Sequence, residues 1–295
     1  MLAYASLVER NWYALREVTV PVLPPGASPL RVLHLSDLHL TPSQRRKRDW
    51  VRDLAGLQPD LVVDTGDNIA HADGLRPVLD ALGPLLSTPG AFVMGSNDYF
   101  APQPKNPARY LRADARDAEP VHPPRLPSGE LAAELARAGW RDLTNTRDSV
   151  ETAGRTVALV GVDDPHLDRD RFPVRPPEAS PQAPTPALRI GVTHAPYVRV
   201  LDAMLADGCD LILAGHTHGG QLAVPFYGAL VTNCDLDRGR AKGLHGWPGA
   251  RPDTDAGRAA RSTWLHVSAG LGTSPYAPVR FACRPEATLL TLVGR

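Results

Sequence analysis

Five short apolar runs, separated by segments with helical periodicity, are the feature that most restricts how this 295-residue chain folds. Each run is rich in Val, Ile or Leu and has at most eight residues, the length of a buried strand. The predicted strands are residues 31–37, 60–67, 90–96, 189–194 and 210–216. The helices predicted between them are residues 44–57, 75–86, 130–138 and 197–206. This alternation indicates an α/β fold built in layers.

A second group of strands is predicted to be antiparallel. Residues 147–152 and 156–162 flank a short turn and read as a hairpin, and residues 263–268 and 287–293 add strands near the end of the chain. The sheets are therefore mixed, and we expect two of them to face each other. The segments predicted as loops, from their content of Pro, Gly or charged residues, are 101–127, 165–187 and 236–262.

Composition restricts the class of partner. The chain has 32 basic and 32 acidic side chains, so no net field attracts nucleic acid, and no specific nucleic-acid binding is expected. The local basic run Arg45–Arg48 is interpreted as a solvated helix face, with a phosphate-binding patch as the alternative. Cys209, Cys234 and Cys283 are far apart in the sequence and are expected to be buried, reduced thiols.

Residues 1–30 are predicted to be an N-terminal segment with an amphipathic helix and an edge strand, followed by one domain over residues 31–295. We expect the apolar stripe of this helix to pack on the body of the protein, with contact to a membrane surface as the alternative. The stripe consists of Tyr4, Val8, Trp12 and Leu15. The sequence contains no long apolar run and no signal-peptide pattern. The expected location is the cytoplasm, and the alternative is a peripheral position at the inner face of the membrane.

Side chains able to bind metal ions follow five of the predicted strands. In chain order they are Asp37 and His39, Asp67, Asn97 and Asp98, His194, and His216 and His218. Ligand crevices in open α/β sheets lie outside the carboxyl ends of the strands, so these side chains are expected to converge. A single histidine or Gly-Asp pair is usually structural, whereas the ordered set predicts a metal site.

The sequence around these positions resembles the calcineurin-like metallophosphoesterase superfamily. The matching motifs are Leu35–His39 (LSDLH), Gly66-Asp67, Gly215–Gln221 (GHTHGGQ) and Gly270–Pro275 (GLGTSP). They are also similar to a bacterial subgroup of membrane-associated phosphodiesterases and UDP-2,3-diacylglucosamine pyrophosphohydrolases. The resemblance covers about residues 31–293 and implies two facing mixed β-sheets flanked by helices, in four αββα layers.

The resemblance also implies a role for each ligand. One metal ion would be held by Asp37, His39 and His218. A second would be held by His194, His216 and an amide oxygen from residues 96–97. Asp67 would bridge the two ions. Mixed imidazole and oxygen ligands suit Mn, Fe or Zn better than Ca or Mg, so two such divalent ions are the expected cofactors.

The third strand end departs from the superfamily pattern Gly-Asn-His-(Asp/Glu), because this chain has Gly95-Ser96-Asn97-Asp98. An ungapped alignment makes Ser96 the ligand. A shift of one residue makes Asn97 the ligand and puts Asp98 where the superfamily has a histidine that protonates the leaving oxygen or contacts phosphate. Asn97 is favoured because an amide oxygen reaches a metal ion better than a short hydroxyl does. Asp98 is then the predicted general acid.

Three histidines outside the predicted strands and helices are weaker alternatives for this acid. They are His71, His122 and His166. Contacts to the substrate are predicted for Tyr99, Lys105 and Arg109, where cations would bind a second phosphate and the ring would stack on a nucleotide. The alternative interpretation is that Lys105 and Arg109 are ordinary charged residues of a surface loop.

The predicted function is hydrolysis of a phosphodiester or pyrophosphate-linked substrate, lipid- and nucleotide-linked ones included, by attack of a hydroxide held by the metals. Two alternatives stay open at this point. One is a phosphomonoesterase or nucleotidase. The other is a metal-holding scaffold that has lost catalysis and binds a partner.

Overall fold

The structure, a computed structural model, describes residues 2–104, 123–175, 187–225 and 227–295. The strands are β1 Ala14–Leu23, β2 Leu30–Leu35, β3 Leu61–Asp64, β4 Gly90–Phe92, β5 Arg141–Asp142, β6 Arg147–Thr152, β7 Arg155–Gly161, β8 Arg189–Thr193, β9 Leu211–Ala214, β10 Ala223–Val224, β11 Gly228–Ala229, β12 Gly243–Trp247, β13 Thr263–Val267 and β14 Glu286–Gly294. The α-helices are α1 Arg45–Asp53, α2 Leu75–Leu82, α3 Ser96–Tyr99, α4 Ser128–Arg137, α5 Val198–Ala206 and α6 Asp255–Ala259.

Two six-stranded sheets form the centre of the molecule. The first has the order β1-β14-β2-β3-β4-β5, and the second has the order β12-β13-β9-β8-β7-β6. In the first sheet β2 to β5 are parallel, and β14 is antiparallel to β2. In the second sheet β7, β8, β9 and β13 are parallel, while β6 and β12 are antiparallel edge strands. The predicted hairpin is the pair β6–β7.

The sheets are held together by apolar side chains on their facing sides. Val32 and Val63 of the first sheet share one buried cluster with Ile190 and Leu213 of the second. The outer face of the first sheet packs against α1, α2 and α4, and the outer face of the second packs against α5. Helix, sheet, sheet and helix therefore form four layers, which confirms the predicted fold class.

The N-terminal segment joins the first sheet. Strand β1 pairs in parallel with β14 and lies at the edge of that sheet. Before it, the chain forms helical turns over Tyr4–Val8 and Glu9–Asn11. Of the stripe predicted to pack on the body of the protein, only Leu15 does so, because Tyr4, Val8 and Trp12 are exposed. The buried side chains of these turns are instead Ala5 and Glu9. The boundary at residue 30 stays a prediction.

The segment 236–262 is more regular than predicted. It contains β12, which completes the second sheet, and the short helix α6, which Thr254 caps by accepting a hydrogen bond from the Gly257 backbone N–H. Gly243 and Gly246 interrupt the alternation of apolar and polar residues by which a strand is predicted, so β12 was not predicted. The three cysteines are free, and Cys209 and Cys283 are buried. No helix within the described ranges has both the length and the hydrophobicity needed to cross a membrane.

Candidate metal centre

The predicted ligands follow adjacent strands of both sheets. Asp37 and His39 come after β2, Asp67 after β3, His194 after β8, and His216 and His218 after β9. Strands β2 and β3 are parallel neighbours in one sheet, and β8 and β9 are parallel neighbours in the other. Because the sheets face each other, their carboxyl ends bring all six side chains to one edge of the sandwich.

Five of these six residues have a left-handed backbone. The φ angles are 51° for Asp37, 41° for His39, 59° for Asp67, 67° for His216 and 49° for His218. Such a conformation costs a non-glycine residue about 1–3 kcal/mol and is concentrated at functional sites. Main-chain hydrogen bonds between the turns maintain it, from Asp37 N to Gly66 O at 2.8 Å and from His39 N to Asp67 O at 2.9 Å.

Asp37, His39 and His218 form one group of ligand atoms, all within 4.8 Å of one another. Asp37 Oδ1 lies 3.5 Å from His218 Nε2, and the Nε2 atoms of the two histidines are 3.3 Å apart. The other oxygen, Asp37 Oδ2, accepts hydrogen bonds from Ser36 Oγ and the His216 backbone N–H. Oδ1 is buried without a hydrogen-bond partner among the described residues. An unpartnered carboxylate oxygen facing two imidazole nitrogens is a donor set that fits a divalent cation.

A second group contains Asp37, Asp67 and His194, again within 4.8 Å. Asp67 faces both groups, because its Oδ2 is 3.4 Å from His39 Nε2 and its Oδ1 is 3.5 Å from His194 Nε2. His216 Nδ1 lies 3.3 Å from His194 Nε2 and extends the second group. A Cβ on Gly95 would come within 2.3 Å of Asp67 Oδ1, so the glycine leaves this carboxylate the room it occupies.

Asn97, and not Ser96, makes the side-chain contact to Asp67. The Asn97 backbone N–H donates to Asp67 Oδ1 and its amide Nδ2 donates to Asp67 Oδ2, both at 2.7 Å. Ser96 Oγ is 3.5 Å from Asn97 Nδ2. The amide of Asn97 is therefore at the centre of the ligand cluster, while its role as a ligand stays a prediction.

Asp98 does not have the contacts of a general acid. Its fully buried carboxylate accepts hydrogen bonds from the backbone N–H groups of Asp67 at 2.8 Å, Asn68 at 2.8 Å, Ile69 at 3.3 Å and Gly95 at 3.0 Å. Burial and the neighbouring Asp67 raise the pKa of Asp98 to about 7. Both oxygens of Asp98 fix the backbone of the Asp67 turn, which is a positioning role, and the catalytic role of Asp98 stays a prediction.

The predicted substrate contacts are only partly described. Tyr99 donates its hydroxyl hydrogen to Asp163 Oδ1 at 2.7 Å, and the Arg169 guanidinium lies 3.8 Å from the centre of its ring. Arg169 thus covers one face of the Tyr99 ring, so a nucleotide base cannot stack on that face. Lys105 and Arg109 lie outside the described residues.

The three alternative histidines lie in different surroundings. His71 is exposed and accepts a hydrogen bond from the Asp73 backbone N–H. His122 lies outside the described residues. His166 lies at the ligand cluster, with its ring centre 4.6 Å from that of His216 and its Nδ1 3.0 Å from the Tyr197 hydroxyl.

Main-chain carbonyl groups orient three of the histidines. His194 Nδ1 lies 2.7 Å from Thr65 O, His216 Nε2 lies 3.1 Å from Asn233 O, and His218 Nδ1 lies 3.2 Å from Gly272 O. A carbonyl oxygen can only accept, so His194 Nδ1 and His216 Nε2 donate to these oxygens. His218 Nδ1 also lies 3.3 Å from Arg280 Nη2, which can only donate. Sequence patterns cannot identify the carbonyl partners, because they are backbone atoms.

Two buried cations support the turns, and neither was predicted. Lys47, from the basic run, donates to Leu38 O at 2.7 Å, and burial lowers its pKa to about 7. This corrects the solvated-face interpretation for Lys47. Arg280 is fully buried and donates from Nη2 to Ala269 O and Gly272 O, both at 2.7 Å. It fixes the GLGTSP turn, whose Leu271 N–H donates to Ser36 O next to Asp37.

The cluster concentrates negative charge in a buried space. Burial raises the pKa of Asp37 to about 6 and lowers that of His39 to about 4. Burial lowers the pKa of His194, but the negative charges of Asp67 and Asp164 have the larger combined effect and raise this pKa to about 9. The negative charge of these carboxylates, which stabilises a proton on His194, would also stabilise a bound divalent cation.

The sequence profile of the calcineurin-like phosphoesterase family matches residues 30–220, which include every ligand described above. The chain belongs to this family. Membership in the calcineurin-like phosphoesterases confirms the resemblance, places the chain among the phosphoric ester hydrolases, and implies divalent metal ions as cofactors.

Several relatives match this calcineurin-like phosphoesterase over nearly its whole length. Phosphodiesterase YaeI of Escherichia coli K12 is 27% identical over 297 residues, covering 98% of this chain and 92% of the relative. A Bos taurus transmembrane protein with a metallophosphoesterase domain is 28% identical over 293 residues, covering 95% of this chain but only 57% of the relative. The crystal structure of a 5'-nucleotidase precursor from Thermus thermophilus aligns with a TM-score of 0.45 and 15% identity, covering 90% of this chain and 55% of that one.

Proposed function

We propose that the chain hydrolyses phosphodiester or pyrophosphate-linked substrates with two divalent ions, Mn, Fe or Zn, held by the seven predicted ligands. The observation that carries the proposal is the position of Asp67, whose two oxygens each face a histidine of a different group at 3.4 and 3.5 Å. A carboxylate in this position can bridge two cations. The printed name of the Escherichia coli relative, a phosphodiesterase, supports the diester class.

Each ligand has a defined part in this proposal. Asp37, His39 and His218 would hold one ion, His194, His216 and Asn97 would hold the other, and Asp67 would contact both. When bound, such ions would lower the pKa of a water molecule toward neutral and would offset the charge that develops on the phosphate. For Asn97 to act as a ligand, a rotation of its amide would turn the oxygen, in place of Nδ2, toward the centre.

The remaining residues prearrange the ligands. Asp98 fixes the turns that carry Asp67 and Gly95, Lys47 fixes the turn between Asp37 and His39, and Arg280 fixes the turn beside Asp37. Polar groups that are already oriented before the reaction need no reorganisation as charge develops. His166 is the described imidazole that lies beside the cluster, and we assign it the contact with the leaving group or the phosphate.

The proposal is tested by comparing two nitrophenyl esters. With Mn²⁺ the purified full chain is expected to cleave bis-p-nitrophenyl phosphate with a higher kcat/KM than p-nitrophenyl phosphate, and removal of metal by EDTA is expected to abolish both activities. A preference for the monoester would favour the phosphomonoesterase or nucleotidase alternative. Tight metal binding without turnover on Mn, Fe or Zn would favour the scaffold.

Asn97→Ala is expected to raise the Mn²⁺ concentration that gives half-maximal activity by about 10–100-fold, the usual effect of losing one partner of a metal site. Ser96→Ala is the matched control, since it truncates the adjacent side chain of the same helix, and should shift this concentration less than about twofold. The measurement is a metal titration of kcat with each variant. The opposite ranking would make Ser96 the ligand and restore the ungapped alignment.

A further inference from the structure

Two buried histidines that are not predicted ligands meet between the two sheets. His34 lies in β2 of the first sheet, His266 lies in β13 of the second, and their Nδ1 atoms are 2.9 Å apart. Burial and the nearby ring of His266 lower the pKa of His34, and burial lowers the pKa of His266 to about 3. Both rings are therefore neutral at pH 7, so one of the two Nδ1 atoms donates and the other accepts.

Two hydroxyl groups connect this pair of histidines to the ligand Asp37. His34 Nε2 lies 3.1 Å from Thr65 Oγ1, and Thr65 Oγ1 lies 2.7 Å from Ser36 Oγ. Ser36 Oγ then donates to Asp37 Oδ2. We call the side chains of His266, His34, Thr65, Ser36 and Asp37 the histidine–hydroxyl relay. All five are buried, so the relay is a continuous line of hydrogen bonds from the second sheet to a ligand carried by the first.

The turn after β9 closes over the hydroxyl part of the histidine–hydroxyl relay. A Cβ on Gly215, the residue before the ligand His216, would overlap Ser36 Oγ and would come within 3.0 Å of Thr65 Oγ1. The absence of a side chain at this position therefore leaves the space that the two hydroxyl groups occupy. Thr65 Oγ1 also lies 3.4 Å from Leu35 O, which is a longer contact than the one to Ser36.

The direction of each hydrogen bond in the relay follows from its carboxylate end. An ionised carboxylate can only accept, so Ser36 gives its single hydroxyl hydrogen to Asp37. Ser36 Oγ then accepts from Thr65, whose hydrogen is used in that bond, and Thr65 Oγ1 accepts from His34 Nε2. A neutral His34 protonated on Nε2 has a lone pair on Nδ1, so His266 Nδ1 donates to it. Every N–H and O–H of the relay therefore points toward Asp37.

We infer that the histidine–hydroxyl relay positions Asp37 for metal binding, with His266 as the donor that sets the direction of the whole line. The relay holds Asp37 Oδ2 and leaves Oδ1, which has no partner among the described residues, for the ion. Hydrogen bonds in a chain polarise one another, and groups that orient a ligand strengthen metal binding. The histidines act only through Asp37 and are positioning residues. This inference rests on metal binding by Asp37, which is part of the proposed function, and not on the ester hydrolysed.

The first test is the protonation of each ring, which can be measured without turnover. Long-range ¹H–¹⁵N NMR correlation spectra of the full chain, supplied with diamagnetic Zn²⁺, are expected to show His34 protonated only on Nε2 and His266 only on Nδ1. The signals are assigned by their loss in His34→Gln and His266→Asn. A His34 ring that carries its proton on Nδ1, or on both nitrogens, would contradict the inferred direction and overturn the inference.

The second test is Mn²⁺ affinity, measured from the electron paramagnetic resonance signal of the free ion. His266→Leu removes the first donor and is expected to weaken binding about 3–10-fold, less than the loss of a direct partner of a ligand. His266→Asn keeps an N–H near the position of Nδ1 and should stay within about twofold of the wild type. The control is His245→Leu in β12, whose Nε2 contacts Lys242 O at 2.8 Å outside the relay, and it should also stay within about twofold.

Thr65→Val interrupts the relay at a second point with a side chain of similar shape, and should weaken Mn²⁺ binding to a similar extent if His266→Leu does not fold. Wild-type affinity in both variants would overturn the inference. An equal or larger loss in His266→Asn would also overturn it, because packing suffers more from the smaller side chain while the donor is kept. Wild-type chain that binds no Mn²⁺ would contradict the proposed function instead, and the protonation of His34 and His266 would then decide whether the relay exists.

Discussion

Replacing Asp67 with asparagine is expected to lower kcat for the diester by at least about 10³-fold while the protein remains folded. The carboxylate faces both His39 and His194, so an amide removes one charge and one oxygen from the point where the two groups meet. One oxygen remains to accept the hydrogen bond from the Asn97 backbone N–H. The measurements are kcat with saturating Mn²⁺, the metal content of the purified variant, and its far-ultraviolet circular dichroism.

Asp73→Asn is the matched control for this experiment. Its carboxylate is 82% exposed, so the same change of charge occurs away from the cluster and should leave kcat within about twofold. If Asp67→Asn retained wild-type activity and bound the full complement of metal, a bridging role for Asp67 would be excluded.

Asp98→Ala is expected to lower the free energy of unfolding by about 3–5 kcal/mol. The substitution leaves four backbone N–H groups, those of Asp67, Asn68, Ile69 and Gly95, without their acceptor in a fully buried position. The measurement is urea unfolding of the metal-free protein. Asp142→Ala is the control, because Asp142 is exposed and accepts a single backbone hydrogen bond, from Thr144, so its loss should cost about 1 kcal/mol.

Asp98→Asn separates the positioning role from the predicted acid. It keeps one acceptor oxygen, so its stability should lie between those of the wild type and Asp98→Ala. As a positioning residue, Asp98 should alter kcat by a similar factor for esters with good and poor leaving groups. A loss confined to poor leaving groups, at unchanged stability, would return Asp98 to the role of general acid.

The sequence predicted the fold and the convergence of the ligands because both depend on strand order and strand ends. Asp37 and Asp67 follow strands that are neighbours in one sheet, and short apolar runs identify such strands in any surroundings. The position of Asp98 could not be predicted in this way, because whether a carboxylate meets solvent or a ring of backbone N–H groups depends on the path of another loop.

The predictions for the exposure of the basic run and for the packing of the N-terminal stripe differ from the structure for a related reason. Charge alone does not say which face of α1 meets the body of the protein, so Lys47 was grouped with its exposed neighbours Arg45 and Arg46. In the N-terminal turns, helical spacing identified a stripe but not its partner. The body of the protein instead covers Ala5 and Glu9. Ala5 O accepts a hydrogen bond from the Arg280 backbone N–H, and the Glu9 carboxylate accepts one from the Cys283 backbone N–H.

The order of strands in the first sheet has a consequence for how the chain is made. Strand β14, which follows the other thirteen described strands in the sequence, lies between β1 and β2. On the ribosome β1 therefore waits without its neighbour until residues 286–294 emerge, although β2 and β3 can already pair. Contacts between such distant segments form slowly, so completion of this sheet is expected to be a late step in folding.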